Sequence, residues 1–274
     1  MTSWTVHLRP NTTLPIDPVA CRKVLRQGTL PDALLHGSAA PALRVGDVTL
    51  THAELRQRAE RVAAGLARLG LTVGSRVSLY AANSLHWVLA YLGAQRAGAT
   101  VNPFNPAFRE AEVEHILVDC APSMVMVDRE RRALVENLRR RVPALARVQV
   151  VAVDDLPEGP VAPILLARGP ESAALIMYTS GTTGRPKGAL LDHGNLLAQA
   201  RGVIEAWRWE PTDRLVLALP LFHVHGLGIG LHGTLLRGAS AILVPFRPES
   251  VVHELQAGAT MFFGVPAMYQ RLVE

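Results

Sequence analysis

The chain has 274 residues, of which 49% are hydrophobic and 19% are charged, and its formal net charge is +5. This balance is typical of a soluble globular protein, and no apolar run reaches the roughly 18 residues that a membrane span requires. Because the first residues lack the apolar segment of a secretory signal, we expect a cytoplasmic protein without an integral membrane segment.

The first part of the chain alternates between predicted strands and predicted helices. Thr51 and Glu54 have the spacing of a capping box, and apolar residues recur at helical intervals from Leu55 until Gly70 ends the run. The alternation predicts an α/β fold in which layered sheets are joined by helical crossovers. The predicted strands are residues 42–45, 48–50, 77–81, 100–102, 123–127 and 148–153. The predicted helices are the one that follows Thr51 and residues 85–96, 110–118 and 129–141.

A second α/β series follows residues 156–170, a stretch that contains four prolines and two glycines. Such a stretch is typical of a linker, so we divide the chain into an N-terminal subdomain, residues 1–170, and a second subdomain, residues 171–274. The last predicted helix has no stop signal before residue 274, which indicates a truncated chain. The predicted strands of this series are residues 173–178, 215–219, 241–244 and 260–263, and the predicted helices are residues 196–207 and 266–274.

The distribution of basic residues and cysteines narrows the functional classes. Of the 28 basic side chains only Lys23 and Lys187 are lysines, so a lysine at 187 indicates either chance or a need for a compact charge on a flexible stem. The arginine cluster in residues 129–141 is typical of a solvated helix face, and we predict no nucleic-acid partner. Cys21 and Cys120 lie far apart, without the spacing of a disulfide framework or a zinc site.

A loop of hydroxyl residues and glycines follows the predicted strand 173–178. Glycines let backbone N–H groups approach an anion, hydroxyl groups donate further hydrogen bonds, and Lys187 adds a positive charge. We therefore expect the loop to bind phosphate. The alternative, that these glycines and threonines only form a turn, does not explain so many anion-binding groups in one segment. Arg185 and Pro186 separate Gly184 from Lys187, which excludes a Walker A loop. The predicted nucleotide- and pyrophosphate-binding residues are Thr179, Ser180, Gly181, Thr182, Thr183, Gly184 and Lys187.

Residues 176–187 resemble the signature loop of the AMP-binding, adenylate-forming superfamily, which includes acyl-CoA synthetases, luciferases and peptide-synthetase adenylation domains. The similarity runs from residues 49–55 to residues 264–269. It implies an AMP-forming acid–CoA ligase of fatty acid metabolism that uses ATP, Mg²⁺ and coenzyme A. In that reaction a carboxylate attacks the α-phosphorus of ATP to give acyl-AMP and pyrophosphate, and the thiol of coenzyme A then displaces AMP.

A second segment, residues 219–227, resembles the part of these enzymes that lines the acyl pocket. The resemblance implies that His223 is the catalytic residue and that it binds the carboxylate that is activated, while core or helix-capping histidines are the alternative. A metal site of His223, His225 and His232 is disfavoured, because an i, i+2 pair beside a helix start has poor ligand geometry and no acidic or sulfur ligand is adjacent. We therefore predict no metal ligands among these residues.

A dinucleotide-dependent oxidoreductase is a further alternative. Gly226, Gly228 and Gly230 imitate a dinucleotide fingerprint, but the third glycine comes one residue early and no suitable strand precedes them. Helix packing explains these glycines better.

Within the superfamily, residues 222–227, 231–239 and 263–266 look most like malonyl-CoA synthetases. A dicarboxylate needs a cation at the far end of its pocket, and Arg237 matches a position where several of those enzymes also carry arginine. Its guanidinium suits a bidentate carboxylate contact, while an arginine that complements a helix end is the alternative. A medium- or long-chain fatty acyl-CoA synthetase is the alternative function.

Several parts of the superfamily's site do not occur in this sequence. Nothing after Lys187 resembles the Tyr-Gly-x-Thr-Glu segment with the Mg²⁺-binding acid, the Thr-Gly-Asp that holds the ribose, or the small C-terminal domain with its adenylation lysine. We therefore expect the incomplete N-terminal domain of a ligase, inactive on its own. A catalytically incomplete nucleotide-binding module is the alternative, and the sequence gives no indication of oligomeric state.

Overall fold

The computed structural model describes residues 25–160, 168–179 and 186–274, and the structural statements below concern those residues. Strands and helices alternate along them, so the predicted α/β class is confirmed. The strands are β1 (Pro41–Val45), β2 (Val48–Thr51), β3 (Arg76–Tyr80), β4 (Thr100–Pro103), β5 (Met124–Val127), β6 (Gln149–Ala152), β7 (Ala173–Thr179), β8 (Lys187–Asp192), β9 (Arg214–Leu217), β10 (Ser240–Leu243) and β11 (Met261–Phe262). The helices are α1 (Leu30–Leu34), α2 (His52–Arg68), α3 (Leu85–Arg96), α4 (Glu110–Cys120), α5 (Arg129–Arg141), α6 (His193–Trp207), a π-helical segment (His225–Leu231) that continues into α7 (His232–Arg237), α8 (Pro248–Gln256) and α9 (Pro266–Val273).

One sheet has six strands in the order β6-β5-β3-β4-β7-β8. All neighbouring pairs are parallel except β7 and β8, which form an antiparallel hairpin. β3, β4 and β5 are almost entirely buried, as expected where helices cover both faces of a parallel sheet. The carboxyl ends of the parallel strands meet at one edge, so the residues that follow these strands lie close together there.

The other sheet has five strands in the order β11-β9-β10-β1-β2. β1 and β2 form the predicted hairpin, whose turn contains Gly46 with a φ of +57°. β1 also pairs in parallel with β10, so the early hairpin enters a sheet formed mainly by the last part of the chain. The division into subdomains at residue 170 stays a prediction. Each sheet contains strands from before and after residue 170, so the sheets do not coincide with the predicted subdomains.

Two hydrophobic clusters fill the space around the sheets. The larger one contains side chains of both sheets and of α2 and α3. α2 contacts β1 and β2, and α3 contacts β3 and β4. The two helices approach closely at Gly93, where a Cβ atom would lie 2.4 Å from Val62 Cγ1. Because α2 contacts one sheet and α3 the other, this helix pair links the two sheets. The smaller cluster joins β5 to α4 and α5 within the six-stranded sheet and its helices.

Local signals predicted several helix boundaries correctly. The predicted bounds of α3 and α5 match the structure. The α2 capping box is confirmed, because the Glu54 amide donates to Thr51 Oγ1 at 3.2 Å and the Thr51 amide donates to the Glu54 carboxylate at 2.8 Å. α6 begins at His193, earlier than predicted, because Asp192 and Asn195 form a capping box there.

Other elements were not predicted. These are α1, β8 and α8. The helix from His225 to Arg237 was assumed in interpreting Gly226, Gly228 and Gly230, but no bounds were predicted for it. β8 is an edge strand whose first four residues are exposed, so it lacks the apolar alternation that identifies a strand. Residues 1–24, with Cys21 and Lys23, and residues 161–167 of the predicted linker lie outside the described residues. Within the described ranges, no helix is both long and apolar enough to span a membrane.

Candidate active site

The two strands that flank the predicted phosphate-binding loop in the sequence, β7 and β8, form an antiparallel hairpin. Thr179 ends β7, Lys187 begins β8, and these two exposed residues are the last pair of the hairpin. The hairpin thus forms a two-stranded stem with a hydroxyl residue opposite a lysine where the loop begins and ends. The remaining predicted residues of the loop, which lie outside the described part of the chain, are Ser180, Gly181, Thr182, Thr183 and Gly184.

Buried polar side chains hold β7 in its sheet. β4 and β7 share only the register pair Val101 and Leu175, so other β7 carbonyl groups take donors from side chains. Sequence analysis missed these donors, although an asparagine inside a predicted buried strand is a signal for such a role. The bonds are Gln95 Nε2 to Ala174 O at 2.7 Å, Thr100 Oγ1 to Ala173 O at 3.1 Å and Asn102 Nδ2 to Ile176 O at 2.9 Å.

Helix α4 contacts the last turn of the hairpin, at Tyr178 of β7 and at Pro186 directly before β8. His115 Nε2 donates to the Pro186 carbonyl at 3.0 Å, and the Tyr178 hydroxyl donates to the Asp119 carboxylate. Burial, and then the hydrogen bond to Asp119, raise the pKa of Tyr178, so this hydroxyl stays protonated. Gly188 faces Tyr178 across the hairpin, where a Cβ atom would lie 3.2 Å from the tyrosine ring. The stem is therefore fixed on the α4 side.

His223 lies where the segment after β9 turns into a helix. The Leu227 amide donates to the His223 carbonyl at 2.9 Å and begins the helical turn, and the Phe222 ring lies 4.5 Å from the His223 ring. Partial burial lowers the pKa of His223, so the imidazole is neutral near pH 7. A helix start carries partial positive charge and unpaired N–H groups. A carboxylate is the kind of group that this arrangement can receive.

The three glycines after His223 belong to the π-helical segment, a rare form that is frequent at functional sites. A Cβ atom on Gly226 would lie 2.2 Å from the Pro220 carbonyl oxygen, and one on Gly230 would lie 2.6 Å from Leu217 Cδ1. The helix can approach the end of β9 only because these side chains are absent. Close helix packing therefore explains the glycines, as predicted.

A cavity of about 400 Å³ opens beside His223 and is called the His223 cavity below. Apart from two histidines, its described lining is apolar, so the cavity suits the body of an acid whose carboxylate is held at the helix start. The lining residues are Ala218, Leu219, Pro220, His223, His225, Gly226, Phe246, Val265 and Met268.

Arg237 lies at the opposite end of the helix. At about 1.5 Å per residue, the 7-residue π-helical segment and the 6-residue α7 place it roughly 15–20 Å from His223. Its Nε donates to the Trp209 carbonyl, and its terminal nitrogen lies 3.2 Å from the Glu210 carboxylate. The described lining of the His223 cavity does not include Arg237, so the structure does not bring the two predicted substrate-binding residues together.

His225 lines the His223 cavity, whereas His232 and His193 are in the core. His232 Nε2 lies 2.8 Å from the Tyr91 hydroxyl, and His193 Nδ1 accepts the Leu30 amide at 3.3 Å. Burial lowers the pKa of His232 to about 3 and that of His193 to about 4. In the part of the chain that the structure describes, no group of three histidine, cysteine or acidic side chains has an arrangement that could hold a metal ion.

The fold of two sheets, with the β7–β8 hairpin and the His223 cavity, is that of an adenylate-forming enzyme domain. Residues 33–274 match the family described as AMP-binding enzyme, and the chain belongs to that family. Its fold of alternating strands and helices also matches solved structures, among them ATP-bound MatB from Rhodopseudomonas palustris, which is 31% identical with a TM-score of 0.80 over 90% of this chain and 51% of that one.

Curated relatives include CoA ligases for different acids. The chain is 37% identical over 239 residues to a feruloyl-CoA synthase of Amycolatopsis sp, which covers 85% of this chain and 47% of the relative. It is 31% identical over 236 residues to the mitochondrial malonate–CoA ligase of Homo sapiens, which covers 82% of this chain and 41% of the relative. The chain thus spans about half the length of the curated relatives that it matches.

Proposed function

We propose that this chain supplies the ATP- and acid-binding part of an AMP-forming acid–CoA ligase, with a cytoplasmic location. The supporting observation is the combination of a Thr179–Lys187 hairpin stem with His223 at a helix start beside an apolar cavity. The similarity to an ATP-bound ligase structure and to CoA ligases supports ATP and coenzyme A as the co-substrates.

In this proposal the chain acts mainly by positioning and by charge. The helix start and the neutral His223 imidazole orient the acid, whose carboxylate oxygen forms a bond to the α-phosphorus of ATP. The bond from that phosphorus to the bridging oxygen of pyrophosphate breaks, and Lys187 stabilises the leaving negative charge. In the second step the coenzyme A thiol attacks the acyl carbon, AMP leaves, and the thiol proton passes to solvent.

Mg²⁺ belongs to the proposal as an ion that shares the charge of the phosphates. Mg²⁺ is not assigned to side chains of this chain, because no group of three among the described residues could hold a metal ion and the resemblance gives the Mg²⁺-binding acid to a Tyr-Gly-x-Thr-Glu segment that does not occur in this sequence. No step assigned to the residues of this chain depends on its position.

For the acid, the cavity supports a substrate with an apolar body. This class includes aromatic acids and medium-chain fatty acids, because the described residues that line the His223 cavity include no lysine or arginine to bind a second carboxylate. A 37% identical feruloyl-CoA synthase is consistent with such a substrate.

A malonate-type acid is the second candidate. The resemblance of residues 222–239 to malonyl-CoA synthetases and the 31% identical malonate–CoA ligase favour it. In this case Arg237 would bind the distal carboxylate. It would first have to break its contacts with Glu210 and the Trp209 carbonyl. The loss of these contacts makes malonate the less favoured of the two candidates.

A lysine exchange tests the adenylation step. In the complete ligase, Lys187→Ala should slow acid-dependent ATP–pyrophosphate exchange at least about tenfold, because a charge near the leaving pyrophosphate is lost. Lys187→Arg is the matched control, since it keeps the charge but not the compact ammonium group. Exchange that is unchanged in Lys187→Ala contradicts the assignment, and full activity in Lys187→Arg contradicts a need for lysine.

A substrate comparison tests the choice of acid. We expect ferulate or octanoate to have a higher kcat/KM than malonate, and Arg237→Met to affect all three acids alike, because the guanidinium lies outside the cavity. If malonate is the best substrate and Arg237→Met reduces its kcat/KM alone by about ten- to a hundredfold, the second candidate is correct, since a charge-assisted hydrogen bond contributes about 1.5–3 kcal/mol.

A further inference from the structure

Asn83 connects the two sheets at their carboxyl edges. It lies after β3, directly before Ser84, whose hydroxyl accepts the Trp87 amide at 3.0 Å and caps α3. The Asn83 side chain leaves this turn and reaches the segment that follows β9 in the other sheet. Its Nδ2 donates to the Leu219 carbonyl at 3.0 Å, and its Oδ1 accepts the Leu221 amide at 3.0 Å.

These two hydrogen bonds bracket Pro220. A side-chain amide offers one acceptor and two donors in one plane, so Asn83 pairs with this segment as a neighbouring strand would. The Pro220 nitrogen cannot donate a hydrogen bond, and its carbonyl accepts the His223 amide at 3.3 Å. The backbone just before His223 is therefore fixed from one side by Asn83 and from the other by its own turn.

The position of Pro220 also determines where the helix begins. The Gly226 Cα is so close to the Pro220 carbonyl that a Cβ atom would lie 2.2 Å from its oxygen. Leu221, which follows Pro220, is fully buried and anchors the same turn. A shift of Pro220 would thus move His223 and the first helical turn together.

We infer that Asn83 is a positioning residue for the carboxylate site. It holds the Leu219–Leu221 segment, which follows β9 of the five-stranded sheet, near the end of β3 of the six-stranded sheet. In this way it orients His223 towards the His223 cavity. The inference rests on the proposed function only in that His223 receives the acid. The side chain of Asn83 does not itself need to touch the substrate.

The experiment uses the 274-residue chain and compares wild type with Asn83→Ala, Asn83→Asp and Ser84→Ala. NMR spectroscopy follows hydrogen exchange of the Leu221 amide and the imidazole resonance of His223, and a benzoate titration measures acid binding. Ser84→Ala is the matched control, because it removes a hydrogen bond from the same turn, the α3 cap, without touching the Leu219–Leu221 segment.

We expect Asn83→Ala to speed Leu221 exchange about tenfold or more, to move the His223 resonance and to weaken benzoate binding about five- to tenfold. In Asn83→Asp the carboxylate still accepts the Leu221 amide but cannot donate to Leu219. Leu221 exchange should then stay close to wild type while the His223 resonance still moves. Ser84→Ala should leave Leu221 and His223 unchanged.

Two results would overturn the inference. One is unchanged Leu221 exchange and an unchanged His223 resonance in Asn83→Ala. The other is an equal change of His223 in Ser84→Ala, which would assign the effect to the stability of α3. If benzoate does not bind wild type at His223, the proposed carboxylate site fails, but the Leu221 and His223 signals still decide the positioning role of Asn83.

Discussion

At the scale of single residues, environment separates the roles of three histidines of the predicted second subdomain. His223 is at the surface of a cavity, whereas His232 and the more distant His193 are in the core, where burial lowers their pKa to about 3 and about 4. Both imidazoles are therefore neutral in the folded protein at neutral pH, and the unfolded chain takes up protons more readily than the folded one.

This difference predicts acid sensitivity. The ordinary pKa of histidine is about 6.5, so the stabilisation is complete above that pH and is lost as the pH falls towards 4 and 3. Each of these two histidines should contribute a slope of up to about 1.4 kcal/mol per pH unit within that window. Urea unfolding of wild type, His232→Gln and the exposed control His253→Gln between pH 7 and 4.5 measures how the free energy of unfolding depends on pH. A slope that is equal in wild type and His232→Gln contradicts the prediction.

At the scale of elements, the helix after His223 packs closely against the end of β9 because glycines at the contact have no side chains. Gly226→Ala places a Cβ atom against the rigid Pro220 carbonyl, so we expect the free energy of unfolding to fall by about 1–3 kcal/mol. Acid binding at His223 should weaken as well, because the first helical turn must shift.

Gly202 in α6 provides the control for this prediction. A Cβ atom there meets nothing within 4 Å, so Gly202→Ala should raise the free energy of unfolding by about 0.5–1 kcal/mol through helix propensity alone. Urea unfolding of both variants tests the pair. Stabilisation by both alanines would show that the close approach at Gly226 is not a constraint.

At the scale of the whole molecule, the chain covers one part of a longer catalytic arrangement in its relatives. It matches 47% of the length of a feruloyl-CoA synthase, and the family segments with the metal-binding acid, the ribose-binding aspartate and the adenylation lysine do not occur in its sequence. Adenylation requires the reacting groups to be positioned together.

We therefore expect the purified 274-residue chain to show no acyl-CoA formation with ATP, Mg²⁺, coenzyme A and ferulate, octanoate or malonate. Thioester formation followed by liquid chromatography measures this, with a preparation of Lys187→Ala as the control for contaminating ligases. Turnover by wild type that the control lacks would show that these 274 residues contain a complete site.

The sequence by itself determined the features that depend on neighbouring residues. The bounds of α3 and α5 and the Thr51–Glu54 capping box were predicted correctly, because periodicity and caps act within one or two helical turns. The family was also visible in the sequence, since residues 176–187 form a continuous motif that matches a known pattern.

The tertiary structure alone decided the features that join distant parts of the chain. The pairing of β1 with β10, the bonds from Asn83 to the segment before His223, and the ion pair of Arg237 with Glu210 have no local signal. Each requires two segments to meet in space. Their meeting depends on how the two sheets pack around α2 and α3, because periodicity predicts that a face is buried but not which partner covers it.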